Sequence, residues 1–135
     1  MKNETYLLDT SALLTLIEDE DGATRVEQVL RTYSVIITWM SLFEIHYITQ
    51  QERGLAEAER RYALLKSFPV TLLWHIDEPI LLTAARLKAS YRLSLADTII
   101  AACALLQHAT LLHRDPRFEA LAGQLALEAL PYKRS

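Results

Sequence analysis

Ser94-Leu95-Ala96-Asp97-Thr98-Ile99-Ile100-Ala101-Ala102-Cys103-Ala104-Leu105-Leu106 is the stretch on which the fold turns. Beyond Asp97 the run is apolar all round, so it reads as a helix buried on most sides. Such a helix must lie against another layer. Ala109-Thr110-Leu111-Leu112-His113, just after it, reads as a strand, and Glu78 to Tyr91, before it, reads as a helix with Pro79 in its first turn.

Working back to the start of the chain, Thr5-Tyr6-Leu7-Leu8 is a short buried strand ending at Asp9, and Ser11 to Glu18 has helical character. An Asp21-Gly22 turn precedes a helix from about Ala23 to Arg31, and β-branched Val35-Ile36-Ile37-Thr38 is the second strand. Ser41 suits the cap of a helix from Leu42 to about Glu52, ended by Gly54. Leu55 to Lys66 is amphipathic at helical spacing, Pro69 stops it, and Val70 to Trp74 makes a third strand. After the fourth strand come a short helix from Pro116 to Ala122 and an edge strand over Leu125 to Glu128. Strands alternating with helices imply right-handed crossovers and a mainly parallel sheet of four to five strands, an α/β sandwich.

The chain has 135 residues, 51% hydrophobic and 23% charged, with 3 Gly and 4 Pro, which fits one helix-rich domain over residues 1–135 and excludes a disordered chain. The single Cys103 cannot form an internal disulfide and reads as a core residue in a reducing compartment. No stretch is long enough to span a bilayer. Met1-Lys2-Asn3-Glu4 leads straight into a strand without a signal-peptide pattern, so a soluble, cytoplasmic protein is expected.

A net charge of −3 does not favour nucleic-acid binding, but a metal-bound acid cluster no longer repels phosphate. Basic residues are also gathered, with Arg86, Lys88 and Arg92 before the Asp97 helix and Arg114 and Arg117 on either side of Asp115. Glu18-Asp19-Glu20-Asp21 reads as a solvated turn. Trp39 and Trp74 read as core or partner-interface residues.

Asp97 is the oddity in its helix, and Asp9, Glu44 and Asp115 likewise interrupt or end apolar runs. A buried carboxylate costs several kcal/mol, roughly, unless a cation, a metal or good hydrogen bonds compensate it. Each acid has a structural reading. Asp9 or Ser11 suits an N-cap, Ser94-x-x-Asp97 fits a capping box, and Asp115-Pro116 fits an N-cap followed by proline. Glu44, between Phe43 and Ile45, is not needed as a cap, although a buried arginine would satisfy it. The joint pattern favours a metal. In open parallel sheets ligands bind beyond the carboxyl ends of the strands, where Asp9 and Asp115 both fall and where the first turns carrying Glu44 and Asp97 are able to point.

The histidines show no paired zinc spacing and there is no Gly-rich phosphate loop. His113 shares a strand face with Asp115, which leaves it either at the pocket or in plain packing.

Leu8-Asp9-Thr10-Ser11-Ala12-Leu13-Leu14, Ser41-Leu42-Phe43-Glu44-Ile45, Ser94-Leu95-Ala96-Asp97-Thr98-Ile99-Ile100-Ala101-Ala102 and Arg114-Asp115-Pro116-Arg117-Phe118 together resemble the PIN domain in order, spacing and flanking residues. The whole chain is similar to the toxin half of a VapBC-type toxin–antitoxin system. The resemblance implies a PIN-like three-layer α/β/α sandwich and an acidic metal pocket of Asp9, Glu44, Asp97 and Asp115, supported by Ser11 and Ser94. It departs from the pattern at His113, where Thr is common. It further implies an RNA substrate, a homodimer and a small antitoxin protein whose C-terminal segment covers the groove.

Oxygen-only ligands suit Mg²⁺ or Mn²⁺, one or two ions, and not zinc. Hydrolysis by an activated water in line with the scissile bond leaves a 5′-phosphate. Asp9 and Asp97 are the expected direct ligands, with Glu44 and Asp115 holding metal waters or a second ion and one of them serving as base. Arg114, Arg117, Arg86, Lys88 and Arg92 are candidate phosphate contacts, with His113 beside them. Two other functions fit the same residues: a catalytically silent PIN-fold binding module, and a nuclease of general RNA or DNA processing.

Overall fold

Thr5–Leu8 forms β1, the middle strand of a five-stranded sheet ordered β3-β2-β1-β4-β5, with Ser34–Thr38 as β2, Thr71–Leu73 as β3, Thr110–His113 as β4 and Leu127–Ala129 as β5. Every pairing is parallel. The computed structural model describes residues 4–133; Met1-Lys2-Asn3, part of the N-terminal reading above, and positions 134–135 of the single-domain expectation lie outside them. Parallel neighbours need crossovers, and six α-helices supply them: Thr10–Ile17 (α1), Ala23–Thr32 (α2), Trp39–Arg53 (α3), Leu55–Ser67 (α4), Glu78–Ser90 (α5) and Leu95–Leu106 (α6). A 3-10 helix covers Pro116–Leu121.

The period of two in the strands sorts the core onto the two faces of the sheet. Tyr6, Leu8, Val35, Ile37 and Leu112 pack with Leu13, Val26, Leu42 and Leu65 of α1 to α4. Leu7, Ile36 and Leu111 pack instead with Ile80 and Leu87 of α5, Ile99 to Leu105 of α6, and Phe118. The result is three layers, α/β/α. The α6 segment 98–104 is entirely buried, as a helix apolar all round requires. Cys103 lies in it, and burial pushes its thiol up to about 11.

From β1 the chain steps outward to β2 and β3, then returns to place β4 on the other side of β1. The strand order therefore reverses between β1 and β4, and a crevice opens there at the carboxyl edge. Asp9 follows β1 and Asp115 lies two residues beyond β4, so they flank that point.

Polar ties fasten the periphery. Tyr6 Oη donates to Glu128 Oε1 at 2.8 Å, and Arg25 forks onto both oxygens of Glu128 at 2.7 and 3.0 Å, joining α2, β1 and β5. Buried Arg61 reaches Glu57 at 3.1 Å and Glu18 at 3.2 Å, linking α4 to the end of α1. Gly22 has φ of +105°, and a Cβ there would meet Pro131 Cδ at 3.2 Å, so this turn must be glycine for the C-terminal segment to pass.

The edge strand β5 covers Leu127–Ala129 and not Leu125 to Glu128, and the start of α3 also differs from expectation. β2 runs directly into α3, which begins at Trp39 and not at Leu42. Ser41 is therefore inside the helix and is not its cap. The cap position is Thr38, whose side chain makes no capping bond.

Candidate active site

Asp9 caps α1 and is also the most enclosed acid of the crevice, with 2% of its surface exposed. Its Oδ1 accepts the Ala12 N–H at 2.8 Å, and the Ser11 hydroxyl lies 2.8 Å from both oxygens. Burial raises its pKa to about 7 against those hydrogen bonds, and the charges of Asp97 and Asp115 add to the rise. The N-cap reading of this acid holds.

Asp97 stands in the first turn of α6. Its N–H donates to Ser94 Oγ at 3.1 Å, so Ser94 caps the helix while the same turn presents the carboxylate to the crevice. Half-burial raises its pKa, as do Asp115 and Glu44, while Ser94 and Arg117 oppose them.

Glu44 is in the second turn of α3, a turn deeper than expected because the helix starts earlier. Thr10 Oγ1 donates to its Oε1 at 2.5 Å and lies 3.1 Å from Ser41 Oγ. The buried Arg61 pairs with Glu18 and Glu57 and not with Glu44.

Asp115 caps the 3-10 helix. Burial alone would raise its pKa, but the Arg117 guanidinium and backbone N–H outweigh this and hold it low. All four acids therefore lie in one field, because Asp9 senses Asp97 and Asp115, and Asp97 senses Asp115 and Glu44.

The supporting residues separate clearly. Ser11 holds Asp9 and its Oγ accepts the Arg114 N–H at 2.9 Å, tying the first acid to the segment carrying the fourth. His113 does not line the pocket. It is buried, its Nδ1 accepts the Asp115 N–H at 3.1 Å, and its ring meets Phe118 edge-on at 5.2 Å; burial lowers its pKa.

Arg114 is not free to contact phosphate. Its side chain is buried and donates to Thr15 Oγ1 at 3.0 Å, Glu20 Oε1 at 2.5 Å and the Pro131 carbonyl at 3.1 Å. Arg86 donates to Gln124 and Lys88 to the Leu93 carbonyl, whereas Arg92 is exposed. Arg117 lies at the pocket, forked onto Asp115.

Three hydroxyls were missed by sequence reasoning. Thr10 holds Glu44 and meets Ser41, and Thr10 was legible in principle, being the residue between Asp9 and Ser11 at the same corner. Thr38 continues the β1–β2 register to lie alongside Asp9, and its Oγ1 is buried with no hydrogen-bond partner. Nothing in the sequence marked it.

The four carboxylates offer oxygen donors only, the chemistry that suits a hard divalent cation. Among the described residues, however, no three Asp, Glu, His or Cys side chains stand close enough to grip an ion as placed. Asp115 is held by Arg117 and Glu44 by Thr10.

The all-parallel sheet between two helical layers defines the fold class, and comparison supplies the family. The model of the PIN domain matches residues 6–124. The chain belongs to the PIN-domain family. No curated protein matches it. Among solved structures it is similar to VapBC2 from Rickettsia felis, bound to a promoter DNA fragment, at a TM-score of 0.78 and 16% identity, covering 94% of this chain and 99% of that one. It is similar to VapBC-1 of nontypeable Haemophilus influenzae at 0.73 and 22%, covering 93% and 97%. It is also similar to Mycobacterium tuberculosis VapC20, a sarcin–ricin loop cleaving toxin, at 0.72 and 17%, covering 93% and 99%.

Proposed function

We propose that this chain is a metal-dependent endoribonuclease that acts as the toxin of a toxin–antitoxin pair. The observation that carries the reading is the convergence of Asp9, Glu44, Asp97 and Asp115, from four separate segments, into one electrostatic field at the sheet's switch point. Burial first, and the neighbouring Asp97 and Asp115 after it, push Asp9 up to about 7, and a bound divalent cation would offset the charge the acids share.

Asp9 and Asp97 are the direct ligands for Mg²⁺ or Mn²⁺, and Glu44 and Asp115 complete the site. The bound ion would supply an activated water nucleophile and Lewis acidity at the scissile phosphate. The protein's own part is orientation: Ser11 fixes Asp9, Ser94 presents Asp97, Thr10 aims Glu44, and the His113 ring holds the backbone of Asp115. Attack by water that breaks the bond to the 3′-oxygen leaves a 5′-phosphate and a 3′-hydroxyl.

The RNA substrate and the antitoxin come from the likeness to VapC20 and the VapBC complexes. Two exposed apolar faces support partners, a small antitoxin and a second copy of the chain. One carries Phe43, Tyr47 and Trp74 beside Glu44; the other carries Leu81, Leu82 and Leu95 on α5 and α6. Surfaces of this kind mark interfaces. A cytoplasmic location belongs to the same reading, and among the described residues no helix is long and apolar enough to cross a membrane.

The test is incubation of partner-free protein with mixed tRNA, rRNA and mRNA, and with DNA, in Mg²⁺ or Mn²⁺. Cleavage of RNA that chelation abolishes, and that is lost in Asp9→Asn and Asp97→Asn, is the expected result. Protein that binds RNA or antitoxin yet never cuts it would identify a silent binding module. Equal cleavage of DNA would identify a nuclease of general processing.

A further inference from the structure

Asp115 and Arg117 are separated by only Pro116, and the 3-10 turn folds the arginine back over the acid. The Arg117 N–H donates to Asp115 Oδ1 at 2.9 Å, its Nε to the same oxygen at 3.2 Å, and its Nη2 to Oδ2 at 3.0 Å. Two hydrogen bonds occupy Oδ1, leaving the carboxylate little capacity for another cation. The guanidinium also acts on Asp97, so its charge reaches into the acid pocket.

Arg117 is nevertheless held lightly. Its side chain is 67% exposed, and its hydrogen bonds all go to Asp115. Arg114, two-sided in the same segment, shows the contrast: it is buried and bonded to three separate groups. Solvent screens a guanidinium this exposed, so a divalent ion is able to displace it although the fork is bidentate.

We propose that Arg117 is a tethered counter-ion that competes with the divalent cation for Asp115. In metal-free protein it partly offsets the mutual repulsion of the acids. As the ion enters, Arg117 leaves Asp115 and remains at the rim of the crevice as a mobile cation. This rests on the acid pocket being a metal site, and it accounts for why the acids as placed do not already form a closed ligand set.

The test is a calorimetric titration of Mn²⁺ into the partner-free full chain and its Arg117→Gln variant, paired with ¹H–¹⁵N spectra of the arginine Nε–H groups during Mg²⁺ addition. The variant is expected to bind Mn²⁺ about two- to fivefold more tightly, the factor set by an exposed ion pair. The Arg117 Nε–H signal, identified by its loss in the variant, is expected to move to the position of a free arginine at saturation. Unchanged or weaker Mn²⁺ binding in a folded variant overturns the proposal, as does an Nε–H signal that stays put while the Asp9 and Asp97 amides titrate. Failure of the wild-type chain to bind Mn²⁺ at all would instead overturn the metal-site reading beneath it.

Discussion

The Ser11 hydroxyl lies 2.8 Å from each carboxylate oxygen of Asp9, while its own oxygen accepts the Arg114 N–H at 2.9 Å. One side chain thus orients the first acid and ties it to the segment that carries the fourth. Ser11→Ala removes both links. It is expected to raise the Asp9 pKa further and to reduce metal affinity or cleavage by roughly 10- to 100-fold, the usual effect of losing an outer-shell partner. Ser11→Thr keeps the hydroxyl and should stay near wild type. Mn²⁺ titration of the three proteins checks this.

Burial of Asp9 has a consequence for stability. Its native pKa of about 7 exceeds its ordinary value of 3.8, so between these limits the native state binds more protons than the unfolded state. Metal-free protein should therefore lose stability as pH rises from about 4 to above 7, most of it by neutral pH. Asp9→Asn keeps an acceptor for the Ala12 N–H and removes the charge. Its urea midpoint should depend less on pH over that interval and exceed wild type at pH 8. A wild-type slope that persists unchanged in the variant would assign the effect to other groups.

The layers and the acids were legible because the chain writes them in local contrasts: short apolar runs that end on a carboxylate, and in α6 a run with no polar side. The start of α3 was not. Thr38-Trp39-Met40 carries no Gly, Pro or Asp to mark a turn, and Ser41 is by residue type the best available cap. Tertiary contact decided otherwise, because Ser41 and Glu44 both meet Thr10, which fixes where the helix must begin. Arg114 and Arg117 look alike in sequence. Only the packing of Glu20, Thr15 and Pro131 around one of them makes it a strut and leaves the other at the pocket. For His113, strand alternation identified the face but not the backbone N–H that its ring receives.

That ring separates packing from hydrogen bonding. His113→Leu fills much of the space against Phe118 but leaves the Asp115 N–H without its acceptor, at a cost of about 1–3 kcal/mol. His113→Asn restores an acceptor at the Nδ1 position with less packing. The leucine variant is expected to lose more cleavage than the asparagine variant, even if it is the more stable to heat. Paired thermal melts and RNA cleavage rates test that inversion.

Arg114 should behave as a structural residue. Arg114→Gln strips the contacts to Thr15, Glu20 and Pro131, and is expected to cost about 1–3 kcal/mol, a fall in Tm of several degrees. The slope of log RNA affinity against log salt should be unchanged, since no phosphate contact is lost. A slope lowered by about 0.7, the loss of one contact to a single strand, would return Arg114 to the substrate interface.

Metal uptake should release protons. At pH 6 Asp9, with its pKa of about 7, is largely protonated, and a cation can use the carboxylate only after that proton leaves. Apparent Mn²⁺ affinity is therefore expected to rise with pH through this range and to flatten above about pH 8, where the proton is already gone. Titrations at pH 6 in two buffers of different ionisation enthalpy should give different apparent heats, the difference reporting close to one proton per ion. In Asp9→Asn any residual binding should show little buffer dependence. Equal heats in both buffers for the wild-type chain would mean that Asp9 is already ionised, and that the pocket compensates its charge by another route.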